Sequence, residues 1–574
     1  MVSMRTTVLA ATAASLVLGV TATTSAADAQ VPQRGGTLTY YLRSGYDHTD
    51  PQRIYLGVEL TNLRRTVYRS LVAFPISTKA SVADKPVPDL ATSTGRSSNH
   101  AKTWAFTLKP GIKWQDGRPI TCGDFKYGAS RVFATNVITG GPNYLLTYLD
   151  IPKSHKTGLP IYTGPYKSST AGVRAFNKAI TCSGSTITYH FKKPWPDFPL
   201  AIASLEMMDP YRKDKDLGAR SSNRVFANGP YMVQGGTWRA GSNATFVRNP
   251  NYDPATDSTN VRRALPDRID FNVGKSSNQI TALMIADSGA ARAAVTQESI
   301  PSPMYGLINA TVSRRAVRVR SPFVDYLVPN IKKIPKKKVR RALALATDRR
   351  GWLRAGGGPK AYAPAKSIVS PDVVGYRPNP SFRKLPLKGR IAAARRLLRS
   401  AKVKLPYRIR FTYPASPIAN AQARKLARSW NKAGFKTVLN GKRSTYAYYT
   451  SIQNPRQKAS VVWAGWGADW PSAITVTAPL FDSRPNLTRH SNGQDYGRYK
   501  SKAFNKLIDK AQRAHSLSGQ TKALRKADAL LGRDTAYIPM DISMFYFLRG
   551  SAVTGFMTSP ASNSYPDLGA IGVR

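Results

Sequence analysis

Apolar residues recur at every second position in several short segments of the first half of the chain. The segments 36–42, 104–108 and 187–191 each place Leu, Ile or aromatic side chains at alternate positions. A period of two is typical of a β-strand with one buried face. We therefore predict strands at these three places.

Farther along the chain the apolar spacing changes to that of helices. Three segments repeat apolar residues at intervals of three and four, which places these residues on one face of an amphipathic helix: 339–346, 504–511 and 524–531. An earlier helix is predicted to begin at Thr121, because Thr121 and Asp124 have the spacing of a capping box. Strand-like stretches at 407–413 and 459–466 alternate with the helices, which indicates layered α/β structure.

The N-terminal segment is typical of a secretory signal peptide. Arg5 precedes an apolar stretch from Val8 to Val20, and residues 27–29 (Ala-Asp-Ala) fit a cleavage site before Gln30. The alternative is a membrane anchor, but a spanning helix needs about 18 or more apolar residues. No cysteine precedes Cys122, so we expect a secreted protein without a lipid anchor at the cleavage point.

The chain has two cysteines, Cys122 and Cys182. In an exported protein a disulfide persists once formed, so we predict that the two are bridged. The alternative is two separately buried thiols.

Length and charge add two further expectations. A chain of 574 residues is too long for one hydrophobic core, which indicates two or three lobes. It carries 86 Lys and Arg against 31 Asp and Glu, a net charge of +55, which attracts polyanions such as anionic polymers of the cell envelope. The alternative is a solvated basic surface with no dedicated partner. The densest basic run, 332–341, has few aromatic neighbours, so we predict a solvated loop and helix start and no specific nucleic acid.

No catalytic motif is found in the sequence. A G-x-S-x-G elbow is absent, and the glycines of 356–360 lack the spacing of a phosphate-binding loop. The S-x-x-K match at 381–384 stands without its supporting motifs, and the six histidines are scattered. We therefore expect a protein that is not an enzyme and that needs no cofactor and no metal.

Several motifs occur in a fixed order along the chain. PDLA at 88–91 is followed by WAFTLKPGIKWQDGRPIT at 104–121. Four further motifs accompany them: GGTL at 35–38, NGPY at 228–231, VRRAL at 339–343 and WAGWGADWP at 463–471. This ordered set resembles the family 5 extracellular solute-binding proteins of the oligopeptide and dipeptide type. The chain departs from the family pattern after Pro471, where Ser472 and Ala473 follow, and at 287–292.

The resemblance implies an α/β fold like that of the periplasmic binding proteins, of type II, with three lobes and a hinged cleft between them. Lobe I would be discontinuous and lobe II would hold both cysteines. The implied segments are 1–29 for the signal peptide, 30–75, 206–285 and 536–574 for lobe I, 76–205 for lobe II, and 286–535 for lobe III.

The resemblance also implies ligand-binding residues. Asp469 would pair with the α-amino group of a peptide, since a carboxylate forms a charge-assisted hydrogen bond with an ammonium group. The alternative is an Asp that caps the following helix. Eight further candidates come from the same segment and from lobe I: Trp463, Gly465, Trp466, Trp470, Tyr40, Tyr41, Asn228 and Tyr231.

The function implied by the resemblance is that of an extracellular receptor that delivers short peptides to an ABC permease by closing around them. Two alternatives remain open. One is a binding or scavenging protein of the envelope that takes no part in transport, and the other is transport of an oligosaccharide or another non-peptide ligand.

Overall fold

The computed structural model describes residues 32–574, so the predicted signal peptide and its cleavage site lie outside the described residues. Three sheets of four or more strands organise the chain. We call the parts built on the five-, four- and six-stranded sheets lobe I, lobe II and lobe III. Within residues 32–574, no helix combines the length and the apolar character needed to cross a membrane.

Lobe I is built on a mixed sheet. Its strands lie side by side in the order Ala294–Thr296, Thr37–Leu42, Arg268–Val273, Ala244–Arg248 and Tyr231–Val233. The first three strands are parallel, and Ala244–Arg248 runs antiparallel to both of its neighbours. The strand predicted at 36–42 is confirmed, and its alternate side chains are buried in the core. Two helices and two small strand pairs complete this part: Gly57–Thr66, Ser277–Ala286, Val72–Ala73 with Val87–Pro88, and Val553–Thr554 with Gly572–Val573.

Lobe II is built on an antiparallel sheet. The strand order is Arg96–Ser98, Thr103–Thr107, Thr186–His190 and Ile180–Ser183, which confirms the strands predicted at 104–108 and 187–191. Five helices occur between residues 80 and 204: Ala80–Ala83, Cys122–Arg131, Tyr144–Tyr148, Thr170–Ala179 and Phe198–Ser204. The helix from Cys122 begins with the predicted capping box of Thr121 and Asp124. Cys122 and Cys182 form a disulfide that joins the start of this helix to strand Ile180–Ser183, as predicted.

Lobe III is built on the six-stranded sheet. Its strands lie in the order Tyr362–Pro364, Ile538–Leu548, Ala316–Pro329, Val461–Trp466, Tyr407–Pro414 and Phe435–Lys442. Its helices are Ala310–Ser313, Lys337–Ala346, Arg349–Ala355, Ile391–Ser400, Pro417–Lys432, Thr445–Gln453, Ile474–Phe481, Ser483–Asn486, Lys502–Gln512 and Leu517–Asp534. The three helices and two strands predicted for this half of the chain are confirmed.

Two long antiparallel strands connect lobe I with lobe III. At one end Ala316 and Leu548 pack with Tyr41 of lobe I, and at the other end Leu327 and Ile538 belong to the core of lobe III. The ladder is irregular between residues 320 and 324. The strand from Ile538 therefore pairs in the sheet of lobe III, although the family resemblance implies that 536–574 belongs to lobe I. The lobe boundaries themselves stay predictions.

The PDLA motif at 88–91 has a structural role in this chain. Asp89 is fully buried and its carboxylate accepts hydrogen bonds from Arg69 at 2.8 Å and from Arg262 at 2.7 Å. Burial opposes ionisation of Asp89, but the charges of Arg262 and Arg69 outweigh it and hold the pKa of Asp89 well below its usual range. The motif thus fixes the junction of three chain segments.

The basic run at 332–341 is a loop followed by a helix start, and its lysines are exposed as predicted. The prediction of a solvated run is wrong for Arg340, which is buried. Its guanidinium donates hydrogen bonds to the carbonyls of Ile334, Pro335 and Asp534. Because Asp534 ends the helix Leu517–Asp534, Arg340 satisfies a carbonyl group that the helix leaves unpaired.

Candidate functional site

Asp469 lies where the three lobes meet. It follows the strand Val461–Trp466 of lobe III, and its carboxylate accepts a hydrogen bond of 2.8 Å from the Tyr55 hydroxyl, which precedes the first helix of lobe I. The Tyr144 hydroxyl of lobe II donates a short hydrogen bond to the other oxygen. One half-buried carboxylate therefore receives a donor from each of the other two lobes.

The electrostatic setting of Asp469 suits a cation. Burial raises its pKa, and the hydrogen bonds from Tyr144 and Tyr55 counter that effect. In the described part of the chain no Lys or Arg forms an ion pair with it. Its donors are neutral phenols, so the carboxylate lacks a countercharge at a place that all three lobes share. An ammonium group is a fitting partner for such a carboxylate.

The alternative role of Asp469 as a helix cap is not supported. The next helix begins at Ile474, its N-cap residue is Ala473, and no side chain caps it. The Asp469 oxygens are directed instead to the two tyrosine hydroxyls.

Trp470, the next residue, connects lobe III with lobe II. Its side chain is 1% exposed and its indole nitrogen donates a hydrogen bond to Asp197. Its ring lies 4.7 Å from the Tyr144 ring and 6.0 Å from the Trp195 ring, measured between centroids. Trp470 is thus part of the contact between lobes, and its predicted ligand contact stays a prediction.

The space beside Asp469 is narrow. The cavity of about 20 Å³ is lined by groups that include Ser204 of lobe II, Pro322 and Asp372 of lobe III, and Asn563 near the C-terminus. That volume is about what one water molecule needs. The lobes are therefore closed on one another here, and a molecule larger than water can enter only after they separate.

The other candidates of the same segment contact the protein in different ways. The Trp466 indole donates a hydrogen bond of 2.9 Å to the carbonyl of Thr475. The Trp463 ring packs against Trp352, with centroids 4.5 Å apart. Gly465 lies beside Asp325, because a Cβ atom at Gly465 would be 2.5 Å from Oδ1 of Asp325.

The four lobe I candidates build the core of that lobe. Asn228 bridges the backbone of Arg69 with two hydrogen bonds, of 2.7 and 3.2 Å, and the Tyr231 hydroxyl donates to the carbonyl of Pro266. Tyr40 is fully buried and Tyr41 nearly so. No hydrogen bond in the described part of the chain joins these four side chains to Asp469, and their ligand contacts stay predictions.

Sequence reasoning missed Tyr55 and Tyr144. They are separated from Asp469 by 414 and 325 positions and belong to none of the motifs. Only the packing of the three lobes brings them together. Among residues 32–574 no group of three or more His, Cys, Asp or Glu side chains is placed to hold a metal ion.

Comparison with known proteins gives a family match over most of the chain. The family model described as bacterial extracellular solute-binding proteins, family 5 Middle, matches residues 85–487. The periplasmic oligopeptide-binding protein OppA of Salmonella typhimurium is 24% identical over 525 residues, which cover 88% of this chain and 86% of OppA. A probable deoxycholate-binding periplasmic protein of Escherichia coli, YgiS, is 22% identical over 79% of this chain and 80% of its own length.

Solved structures give the same fold. The clavulanic acid biosynthesis oligopeptide binding protein 2 superposes with a TM-score of 0.83 at 25% identity, and covers 94% of this chain and 96% of its own. The structure of Haemophilus influenzae OppA in complex with RPPGFSPFR superposes with a TM-score of 0.65 at 18% identity, and covers 95% of this chain and 100% of its own. The predicted α/β fold of the type II periplasmic binding proteins is confirmed.

Proposed function

We propose, from the premise that this chain belongs to the bacterial extracellular solute-binding proteins of family 5, that it captures short peptides outside the cytoplasm and delivers them to an ABC permease. The observation that carries this proposal is the carboxylate of Asp469, which lies at the junction of the three lobes without a countercharge. The α-amino group of a peptide supplies that countercharge.

The binding step follows from the contacts of Asp469. When the lobes separate, the carboxylate loses the hydroxyl of at least one partner lobe and is exposed to water. A peptide ammonium then donates to the carboxylate, and closure brings Tyr55 and Tyr144 back around the charged pair. Removing water strengthens the attraction between the two charges, because it lowers the local dielectric constant. Closure of the lobes is thereby coupled to the presence of a free amine.

The relatives support a peptide as ligand. OppA of Salmonella typhimurium is named an oligopeptide-binding protein, and the Haemophilus influenzae structure holds a nine-residue peptide. The name of YgiS refers to deoxycholate, which has no amine. A free amine is therefore the feature that separates a peptide from the alternative ligands of this fold.

The proposed protein binds and does not catalyse. It acts outside the cytoplasm, and its ABC permease partner receives the closed, loaded form. The net charge of +55 attracts anionic envelope polymers, which would hold the protein near the membrane. If delivery is correct, deletion of the gene abolishes uptake of a labelled peptide, and a copy with Asp469→Asn does not restore it.

Calorimetry with a set of free and N-acetylated tripeptides tests the proposal directly. Loss of one partner of a buried charge pair costs about 2–5 kcal/mol, so Asp469→Asn should raise the Kd of a free peptide about thirtyfold or more. N-acetylated peptides should bind the unaltered protein equally poorly. The matched control is Asp372→Asn, because Asp372 lines the same cavity but already pairs with Arg320 at 2.8 Å.

Two results would contradict the proposal. Equal affinities for free and acetylated peptides would show that the protein does not recognise the amine. If mass spectrometry of the purified protein finds only an amine-free ligand, such as an oligosaccharide, that ligand would replace the peptide in the proposed function.

A further inference from the structure

Two carboxylates lie directly opposite each other in the sheet of lobe III. Asp325 on strand Ala316–Pro329 is the register partner of Asp541 on strand Ile538–Leu548. Like charges at opposed positions of neighbouring strands destabilise a sheet. In the described part of the chain neither residue forms an ion pair with Lys or Arg, although basic residues greatly outnumber acidic ones.

Around this pair, hydrogen-bond acceptors outnumber donors. Asp541 is 0% exposed; its Oδ2 accepts a hydrogen bond of 2.6 Å from Trp352, and its Oδ1 has no partner. Gln422 is also 0% exposed, and its side-chain carbonyl has no partner, while its amide donates to the backbone of Trp352. A buried acceptor without a donor costs about 1–3 kcal/mol. A group with several N–H donors would satisfy this set.

The nearby Arg349 does not fill that role. Burial raises the pKa of Asp541 and the charge of Arg349 only partly opposes that rise, because the Arg349 guanidinium donates to the carbonyls of Ala365 and Met540 and not to a carboxylate. Burial, and for Asp541 also the charge of Asp325, raises the pKa of both carboxyl groups, as expected for a pair that lacks its countercharge.

Aromatic rings border the carboxylates. Trp352 and Trp463 meet edge to face at 4.5 Å, and the Trp463 indole partly offsets the raised pKa of Asp325. Burial raises the pKa of Tyr362, and the charges of the nearby Asp541 and Asp325 raise it further. Carboxylates with aromatic faces are a favourable surrounding for a guanidinium or an ammonium group, which is attracted by both.

The pair is next to the segment that holds Asp469. Gly465, on the adjacent strand, is the register partner of Asp325, and a Cβ atom there would lie 2.5 Å from Oδ1 of Asp325, so the absence of a side chain lets this carboxylate lie against the strand that leads to Asp469. Asp325 itself is only half-buried. Tyr305 of the segment Ser302–Leu307 lies near Tyr362, on the side where lobe I approaches lobe III.

We propose that Asp325 and Asp541 form the floor of a side-chain pocket that accepts the guanidinium or ammonium group of a basic residue in the bound peptide. This inference rests on the proposed function and narrows its substrate class to peptides that carry Arg or Lys. Asp469 then holds the amino terminus, and the carboxylate pair selects a side chain farther along the peptide.

The test uses alanine tripeptides in which one position carries Arg or its uncharged isostere citrulline, at each of the three positions in turn. Calorimetry should show, at one position, a Kd about thirtyfold or more lower for Arg than for citrulline. Asp325→Asn and Asp541→Asn should each abolish this preference. Asp372→Asn, which changes a carboxylate already paired with Arg320, should keep it.

The outcomes separate this pocket from the proposed function. If the tripeptides bind but Arg and citrulline bind equally at all three positions, the pocket is wrong and the peptide receptor stands. If Asp325→Asn retains the full preference, the carboxylate pair is not its source. If no tripeptide binds, the proposed function is wrong, and the proposed pocket is wrong as well. Asp325 is less buried than Asp541, so Asp325→Asn disturbs the core less and serves as the test if Asp541→Asn does not fold. Thermal melting verifies that each variant is folded.

Discussion

The indole Nε1 of Trp470 donates a 2.5 Å hydrogen bond to Oδ2 of Asp197 and so joins lobe III to lobe II. Asp197 is 1% exposed, and burial raises its pKa against the effect of this bond. Gln520 supplies one further donor at 3.4 Å. Because Trp470 follows Asp469, the contact that holds two lobes together lies next to the proposed ligand anchor.

Trp470→Phe should destabilise the protein and loosen the closed form. The change leaves the buried Oδ2 of Asp197 without its main donor, which costs about 1–3 kcal/mol. We expect a lower midpoint in chemical denaturation and a larger radius of gyration in X-ray scattering of the unliganded protein.

Trp430→Phe is the matched control for this prediction. Trp430 is buried and donates to the neutral hydroxyl of Thr347 inside lobe III. Trp430→Phe should lower the stability of the protein without changing its radius of gyration. A radius that changes equally in both variants would contradict a role of Trp470 in closure.

Peptide affinity should depend on pH through Asp469. Burial raises the pKa of this carboxyl group, and only its ionised form attracts an ammonium. Affinity should therefore be full above the raised pKa and fall as the pH drops through it, as measured by calorimetry between about pH 4 and pH 8. Asp469→Asn should lack this component, and an unchanged pH profile in that variant would contradict the prediction.

In the unliganded protein, the Asp469 carboxyl group changes folding stability with pH in the opposite direction. A carboxyl group with a raised pKa binds its proton more tightly in the folded protein than in the unfolded chain. Its contribution to stability is present below the unfolded-state pKa and is lost as the pH rises through the folded-state value.

Asp89→Asn should cost about 3–5 kcal/mol of unfolding free energy, because it leaves the buried Arg69 and Arg262 without their shared carboxylate. The pKa of Asp89 is depressed, so its contribution is present above the pKa of an unfolded aspartate and is lost as the pH falls through the folded-state pKa. Asp270→Asn is the control, since its pair with Arg268 is exposed and should be worth less than about 1 kcal/mol. Equal losses in urea denaturation would refute the structural role of the PDLA motif.

Replacing both cysteines by alanine should destabilise the protein by about 4 kcal/mol on the chain-entropy model, because the bridge closes a loop with a sequence separation of 60. Thiol titration of the unfolded, unreduced protein should find no free thiol, and reduction should release two. Two reactive thiols before reduction would show that the bridge does not form in the isolated protein.

The net charge of +55 should cause salt-dependent retention on anionic envelope polymers. The Debye length is about 8 Å at physiological ionic strength and about 3 Å at 1 M, so added salt weakens long-range attraction. We expect retention on an anionic polymer column at low salt and elution at high salt, with no retention on a neutral column. Retention that is insensitive to salt would exclude an electrostatic association.

Local patterns predicted the elements well. The strand Thr37–Leu42 and the helix Lys337–Ala346 were predictable because the apolar period of a buried face is present within each element itself. The predicted disulfide needed only the cysteine count and the indication of export. Arg340 was not predictable, because the carbonyl of Asp534 that it binds is distant in sequence.

The site was predictable only in part. The resemblance indicated Asp469, but Tyr55 and Tyr144 reach it through the packing of three lobes, which no local pattern encodes. The opposition of Asp325 and Asp541 depends on a strand register that includes an irregularity beside Asp325. Asn228 and Tyr231 belong to a motif whose contacts in this chain are with the protein's own backbone.

The two strands that connect lobe I with lobe III, Ala316–Pro329 and Ile538–Leu548, pair on both sides of the irregularity at residues 320–324. A rotation of the backbone at that irregularity would separate the lobes while the paired segments keep their hydrogen bonds. Opening then requires no local unfolding of either strand. In deuterium exchange, the amides of Ser321 and Phe323 would report opening, while the flanking ladder would exchange only through much rarer, larger fluctuations.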